Sequence, residues 1–353
     1  SSDPDPDTLT YRWTAPAGIF LSSVTASSPT FIAPEVEQDK EYEISLIVND
    51  GQLDSEESKV TVFVENVEDA LGEPTRGNTS DGPIMNAIVF FDSNLNEIVD
   101  EGEPVTTSNV RGDYWLEIPL EAYDLNNNGV IEVSEGVIIS EGGIDTATGL
   151  EVKTLLKGPA NAKVITPLTT LVAKVMEKNP QLDSSAAASK VEESLGLPES
   201  VDILTFDVFK EAATANVDSI EVLTVTAKVQ DTIIQGGNLI AGASEKNLRE
   251  GAEALFGALV DQLVVSEKLD LDDKNVLEDV IVQASDESGA ELTKLQIEVG
   301  AAIIEVSNTA KEEAKEEAKN STKTALEVAT EVARVQAVSQ SEVSNDLKAV
   351  GAS

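Results

Sequence analysis

Val164-Ile165-Thr166-Pro167-Leu168-Thr169-Thr170-Leu171 is where the chain changes texture. Thr166 is a good N-cap residue, and Pro167 takes the first helical position, where a backbone N–H is not needed. The stretch therefore opens a helix that runs on to Met176. Upstream of it, apolar and polar residues alternate as in strands. Downstream, apolar residues recur near a 3.6-residue period. The fold class expected is multidomain, with two all-β sandwiches followed by an α-helical domain that ends in a long helix.

Two blocks of strands precede the switch. In residues 1–68, Thr8 to Trp13, Tyr42 to Val48 and Lys59 to Val64 alternate, with turn signals at Pro16-Ala17-Gly18, Ser28-Pro29 and Asn49-Asp50-Gly51. Short alternating strands punctuated in this way predict an antiparallel sandwich. Residues 69–82, rich in Gly, Pro, Asp and Ser, read as a linker. Residues 83–158 return to strands at Ile84 to Phe91, Tyr114 to Ile118, Gly136 to Ser140 and Glu151 to Leu156.

Residues 159–353 form the helical domain. Ile220, Leu223, Ala227 and Ile234 mark one apolar stripe, and Leu248, Ala252, Leu255, Leu259 and Leu263 another. Gly196, Gly236-Gly237 and Gly289 read as helix stops. Residues 290–340 read as one exposed helix, with Lys311 to Lys319 a solvated, strongly helix-forming run and an interaction arm.

Composition narrows the chemistry. Asp and Glu total 65 against 24 Lys and Arg, a formal charge of -41. Such a surface repels nucleic acid and anionic lipid and attracts cations. Without Cys or His the chain has no disulfide, thiol nucleophile, His-based triad or ordinary zinc site. Oxygen ligands remain, and they suit hard cations such as calcium. No apolar run is long enough to span a membrane. The chain opens on Ser1-Ser2-Asp3-Pro4 without a signal peptide, so a secreted form needs one upstream.

Two acidic, Asn-rich stretches carry the metal chemistry. Asp124-Leu125-Asn126-Asn127-Asn128-Gly129-Val130-Ile131-Glu132-Val133-Ser134-Glu135 follows the twelve-residue EF-type calcium loop. Asp124, Asn126 and Asn128 offer side-chain oxygens at positions 1, 3 and 5, and Gly129 makes the turn at 6. Val130 offers its carbonyl at 7. Ile131 packs inward at 8, Glu132 sits at 9, and Glu135 at 12 can bind through both oxygens. In residues 92–103 the same positions hold Asp92, Asn94, Asn96, the Ile98 carbonyl, Asp100 and Glu103. There Glu97 replaces the turn glycine, which costs backbone strain if position 6 needs positive φ. The alternative for each is a solvated acidic turn. Clear flanking helices are missing, so no sensor-like opening is expected. Asp3, Asp5 and Asp7 also alternate, as a Pro-ordered lead into the first strand or a cation site at a module junction.

Asp3 to Trp13, Pro29-Thr30-Phe31-Ile32-Ala33-Pro34 and Val48-Asn49-Asp50-Gly51 resemble the polycystic-kidney-disease-type and cadherin-like repeats of bacterial surface proteins. The resemblance implies an immunoglobulin-like sandwich, here without its first strand. Gly82 to Asp92, Asp100 to Glu103 and Arg111-Gly112-Asp113-Tyr114 are similar to Cna B-type modules of surface adhesins, which implies calcium at the loop after the first strand. Gly143 to Gly149 and Val164 to Leu171 look like segments of very large adhesin-like proteins, with no implied activity.

Aromatic residues are only 4% of the chain, too few for a sugar-stacking platform, and no phosphate loop or nucleophile elbow stands out. The expectation is a non-enzymatic, calcium-binding structural and adhesive component at the bacterial cell surface, with calcium rigidifying its modules. The alternative is a self-assembling extracellular filament or surface-layer subunit, joined by a donated strand and by contacts of its C-terminal helix. Partners expected are other copies of the chain or adjacent modules of its parent, not nucleic acid.

Overall fold

The computed structural model describes residues 9–16, 19, 21–31, 40–64, 75–266, 268–319 and 323–353. Asp3, Asp5 and Asp7 lie outside them, as do Ile32 to Pro34 and Glu68. β-Sheets make up the N-terminal part and helices the C-terminal part. Contacts divide the chain into two units, residues 1–70 and 71–353.

In the first unit, β1 (Thr10–Thr14), β2 (Lys40–Asn49) and β3 (Ser58–Val64) form an antiparallel sheet in that order. Alternation places Tyr42 and Ile44 on one face, where they are buried with Ile19 and Val64.

The second unit begins with β4 (Thr75–Thr79), inside the expected linker. This corrects that reading. β4 pairs in parallel with β12 (Val164–Ile165) and antiparallel with β8 (Asp113–Leu116). Its sequence shows no apolar alternation because the Tyr114 ring lies over Gly77, where a side chain would collide with it. A four-stranded sheet runs β11 (Leu156–Pro159), β9 (Val137–Glu141), β6 (Ile88–Asp92), β7 (Val105–Thr107). β5 (Ile84–Met85) pairs with β10 (Ile144–Asp145). The expected strand Ile84 to Phe91 is thus split, at Asn86, whose φ is 59°. A short helix α1 (Leu120–Tyr123) precedes the second acidic loop. Only the last residue of the expected strand Glu151 to Leu156 is in a strand, β11.

Helix α2 (Pro167–Lys178) opens on Thr166, which forms a capping box with Thr169. α3 (Ser184–Leu195) and α7 (Lys274–Ser288) end at Gly196 and Gly289, both left-handed, as expected. Between them lie α4 (Val208–Ala213), α5 (Asp218–Ala243) and α6 (Leu248–Val265). α8 (Lys294–Lys319), α9 (Ala325–Val338), a π-turn (Ser339–Val343) and α10 (Ser344–Gly351) complete the chain.

α5 is the axis of the helical part, buried over most of its length and packed by α6, α8, α9 and α10. It passes straight through Gly236-Gly237, which are not a stop. They let α6 approach: a Cβ on Gly237 would lie 2.9 Å from the Ala252 nitrogen. The one exposed helix expected over 290–340 is also corrected. Thr324 caps a new helix, α9, with Glu327. Lys311 and Lys315 are buried and ion-paired to α5, at Asp231 and Glu221.

The boundary expected between 158 and 159 falls inside the second unit. One apolar core runs from Phe90, Ile138 and Leu156 of the sheet through Leu171 and Val175 of α2 to Leu255 and Leu259 of α6. Each such side chain contributes about 1.5–3 kcal/mol by leaving water, so β-layer and helices stabilise one another.

Candidate metal centre

Both acidic loops are hydrogen-bonded structures of one design. Asp92 ends β6 and is fully buried; its Oδ1 accepts from Asn96 N at 3.2 Å and its Oδ2 from Glu97 N at 2.8 Å. Asp124 follows α1 and does the same with Asn128 N at 3.1 Å and Gly129 N at 2.7 Å. At the other end, Glu103 accepts from Ser93 N at 2.8 Å and Asp100 N at 3.1 Å. Glu135 accepts from Leu125 N at 2.8 Å and Glu132 N at 3.0 Å. The side chains of positions 3 and 5 take the amide two residues on: Asn94 from Asn96, Asn96 from Ile98, Asn126 from Asn128 and Asn128 from Val130.

Position 9 closes each ring. Asp100 Oδ2 accepts from the Asn94 and Asn96 amides, each at 2.6 Å. Glu132 accepts from the Asn126 and Asn128 amides. These amides hold Asp100 below the usual carboxylate range. Glu132 is lowered by its contact with the Glu135 carboxyl and by the same amide bonds from Asn128 and Asn126.

Backbone repeats the correspondence. Positions 4 and 6 are left-handed in both loops: Leu95 and Glu97 at φ 61° and 62°, Asn127 and Gly129 at φ 59° and 89°. Ile98 and Val130, at position 7, are exposed, and Ile131 packs partly on the core as expected.

Every residue expected as a ligand therefore belongs to one of two closed rings. Among the described residues no group of three or more acidic side chains converges as a ready metal shell. The carboxylates are turned onto loop amides, and position 9 faces amide nitrogens. A carboxylate oxygen that accepts one N–H keeps another lone pair, so these oxygens can still take a hard cation. Binding would require the Asn amides to release position 9.

The loops differ at position 6. A side chain at Gly129 would meet nothing within 4 Å, whereas Glu97 is tied to β11 and α6. Its carboxylate pairs with Lys157 of β11 at 2.6 Å and Arg249 of α6 at 3.2 Å, and its carbonyl accepts from Arg249 at 3.1 Å. Arg249 also pairs with Glu141 of β9 at 3.0 Å. Burial raises the Glu97 carboxyl, but hydrogen bonds and charge from Lys157 and then Arg249 hold it below the usual range. Sequence reasoning identified the misfit of Glu97 but not Lys157 or Arg249, which carry no local signal.

No family model and no solved structure matches the chain. Part of it, 81 residues or 23% of its length, is 38% identical to Chitinase A of Pseudoalteromonas piscicida and spans 10% of that protein. This match overturns the expectation that the chain is not an enzyme. That expectation rested on missing motifs and few aromatics. Among the described residues no helix is long and apolar enough to cross a membrane.

Proposed function

We propose that this chain is a calcium-stabilised structural and adhesive segment of a secreted bacterial cell-surface protein. One observation carries the reading. Two loops about thirty residues apart, with different side chains at two thirds of their positions, share the same hydrogen-bond ring and the same pair of left-handed residues. A solvated turn has no reason to repeat that pattern, whereas a twelve-residue cation loop does. The likeness of the strand-rich part to immunoglobulin-like and Cna B-type modules supports the setting, as does the charge of -41, whose self-repulsion bound calcium would offset. In this reading calcium closes both loops, and the partners are neighbouring modules or other copies of the chain.

Calorimetric titration with calcium tests it. Asp124→Ala and Glu135→Ala should each weaken binding and lower the melting temperature in calcium. Unchanged titrations in both variants would remove the second loop from the proposal.

The match to Chitinase A favours a second reading, in which the chain is part of an extracellular enzyme that acts on chitin. Release of sugar from chitin oligosaccharides by the chain would establish it; no release and no retention on chitin beads would remove it.

A further inference from the structure

The turn from β4 to β5 meets α9 through one buried pair of side chains. Asp81, on that turn, is 5% exposed. Its Oδ1 accepts from Gln336 Nε2 of α9 at 3.0 Å. Gln336 is 1% exposed, and the Oε1 of the same carboxamide is buried with no donor reaching it. A carboxylate satisfies only half of that amide, because it accepts and never donates. A carboxylic acid can satisfy both halves, accepting from Nε2 and donating its own proton to Oε1.

The surroundings of Asp81 favour the acid. Asp145, buried and fixed by Ala147 N at 2.8 Å and Thr148 Oγ1 at 2.6 Å, bears on it from the turn after β10. The charge of Asp231 on α5 bears on it as well. Lys311 of α8 pairs with Asp231, and among the described residues no cation pairs with Asp81 or Asp145. The π-turn contributes neutral groups: the Gln340 carboxamide bears on Asp81 and Asp231, and the Ser339 hydroxyl on Asp231. These ease ionisation, but Gln340 Nε2 makes no close hydrogen bond. Asp81 also lines a pocket of about 10 Å³ whose walls are mainly apolar, among them Leu168, Ile203, Phe206 and Leu223. Burial, and then the negative charge of Asp145, push the Asp81 carboxyl well above the usual carboxylate range.

The pair sits where the C-terminal helices are seated. Gln336 is in the last turn of α9, and Ser339 opens the π-turn that leads into α10. α9 and α10 both pack on α5 and α8, and the bond from Gln336 to Asp81 ties them to the β-layer. We propose that Asp81 is a neutral acid in the folded chain, paired with Gln336 through both atoms of its carboxamide, and that this pair is a proton-held clasp seating α9, the π-turn and α10. Once Asp81 ionises, the bond to Oε1 is lost and a bare charge is left against apolar neighbours, so the segment lifts away. A carboxyl held above its unfolded value of about 3.9 contributes fully below that pH, and its contribution is lost as pH rises through the folded value. The clasp therefore closes in acid and opens in alkali.

Two measurements on the full chain test it. Infrared spectra at neutral pH, parent minus Asp81→Asn, should contain the C=O band of a protonated carboxyl, which exposed Asp and Glu do not give at that pH. Trypsin cleavage after Arg334, exposed on α9, reads the opening. Its rate in the parent relative to Asp81→Asn should climb with alkaline pH, by up to about tenfold per pH unit, the ratio cancelling the protease's own pH dependence. If Asp81→Asn does not fold, Asp81→Ser, which cannot ionise either, takes its place with the same two readouts. A difference spectrum without that band means a carboxylate at Asp81, and a constant cleavage ratio means a segment that does not respond; either result overturns the proposal.

Discussion

Glu97 shows how one residue can be wrong for its loop and right for the molecule. A non-glycine residue in the left-handed region costs roughly 1 kcal/mol, and Glu97 sits there at φ 62°. Lys157, itself 5% exposed, offsets that cost by needing an anion. Glu97→Gly would relieve the backbone and leave the lysine with Glu253 at 3.7 Å as its remaining partner. We expect a net loss of about 1–3 kcal/mol, measured by urea unfolding, because a buried charge loses its main partner. Glu97→Gln separates charge from geometry. The folded carboxyl titrates below its unfolded value of about 4.3, so its contribution is complete above that pH and is lost as pH falls through the folded pKa. The acid limb of stability between about pH 5 and 3 should be shallower in Glu97→Gln than in the parent. At this scale the two loops were legible as a matched pair, since their residue spacing is local. Asp81 was not, since its burial is made by α9, more than 250 positions away.

At the scale of elements, glycine and lysine each carry two meanings that sequence does not separate. Gly236-Gly237 in a helical pattern reads as a stop, yet here it is the surface against which α6 lies. Gly251 of α6 faces the Gly237 carbonyl, and Gly351 of α10 faces the Leu239 carbonyl in the same manner. α5 is therefore gripped from two directions by backbone-to-backbone contact. Gly251→Ala should destabilise by about 1–3 kcal/mol through overpacking, although alanine is the better helix former. A thermal melt no lower than the parent's would show that the helices can separate freely. Likewise Lys311 to Lys319 has the composition of a solvated helix, but Lys311 and Lys315 point inward to carboxylates on α5. Charges spaced four apart look the same whether they face water or a partner. The turn between α8 and α9 was detectable in principle, because Thr324 and Glu327 form a capping box; Thr324→Ala should cost about 1 kcal/mol.

For the whole molecule, the shared core makes a prediction about cooperativity. The sheet of β6, β9 and β11 and helices α2 and α6 bury one another. Residues 71–353 should therefore unfold in a single calorimetric transition, separate from that of residues 1–70. Fragments divided at 158 should each expose half of a core and fail to fold alone. Two independent transitions from within 71–353 would restore the boundary drawn from sequence. By itself the sequence determined the order of strands then helices, the start of α2 at Thr166, the ends of α3 and α7 at Gly196 and Gly289, and the matching spacing of the two acidic loops. These depend on periodicity, capping and spacing, which act over a few residues. Only the tertiary structure decided that β-layer and helices form one unit, that a polar linker holds a strand, and that Asp231 is buried against Lys311 of α8. Those outcomes depend on which faces meet, and burial between distant segments leaves no periodic trace in either of them.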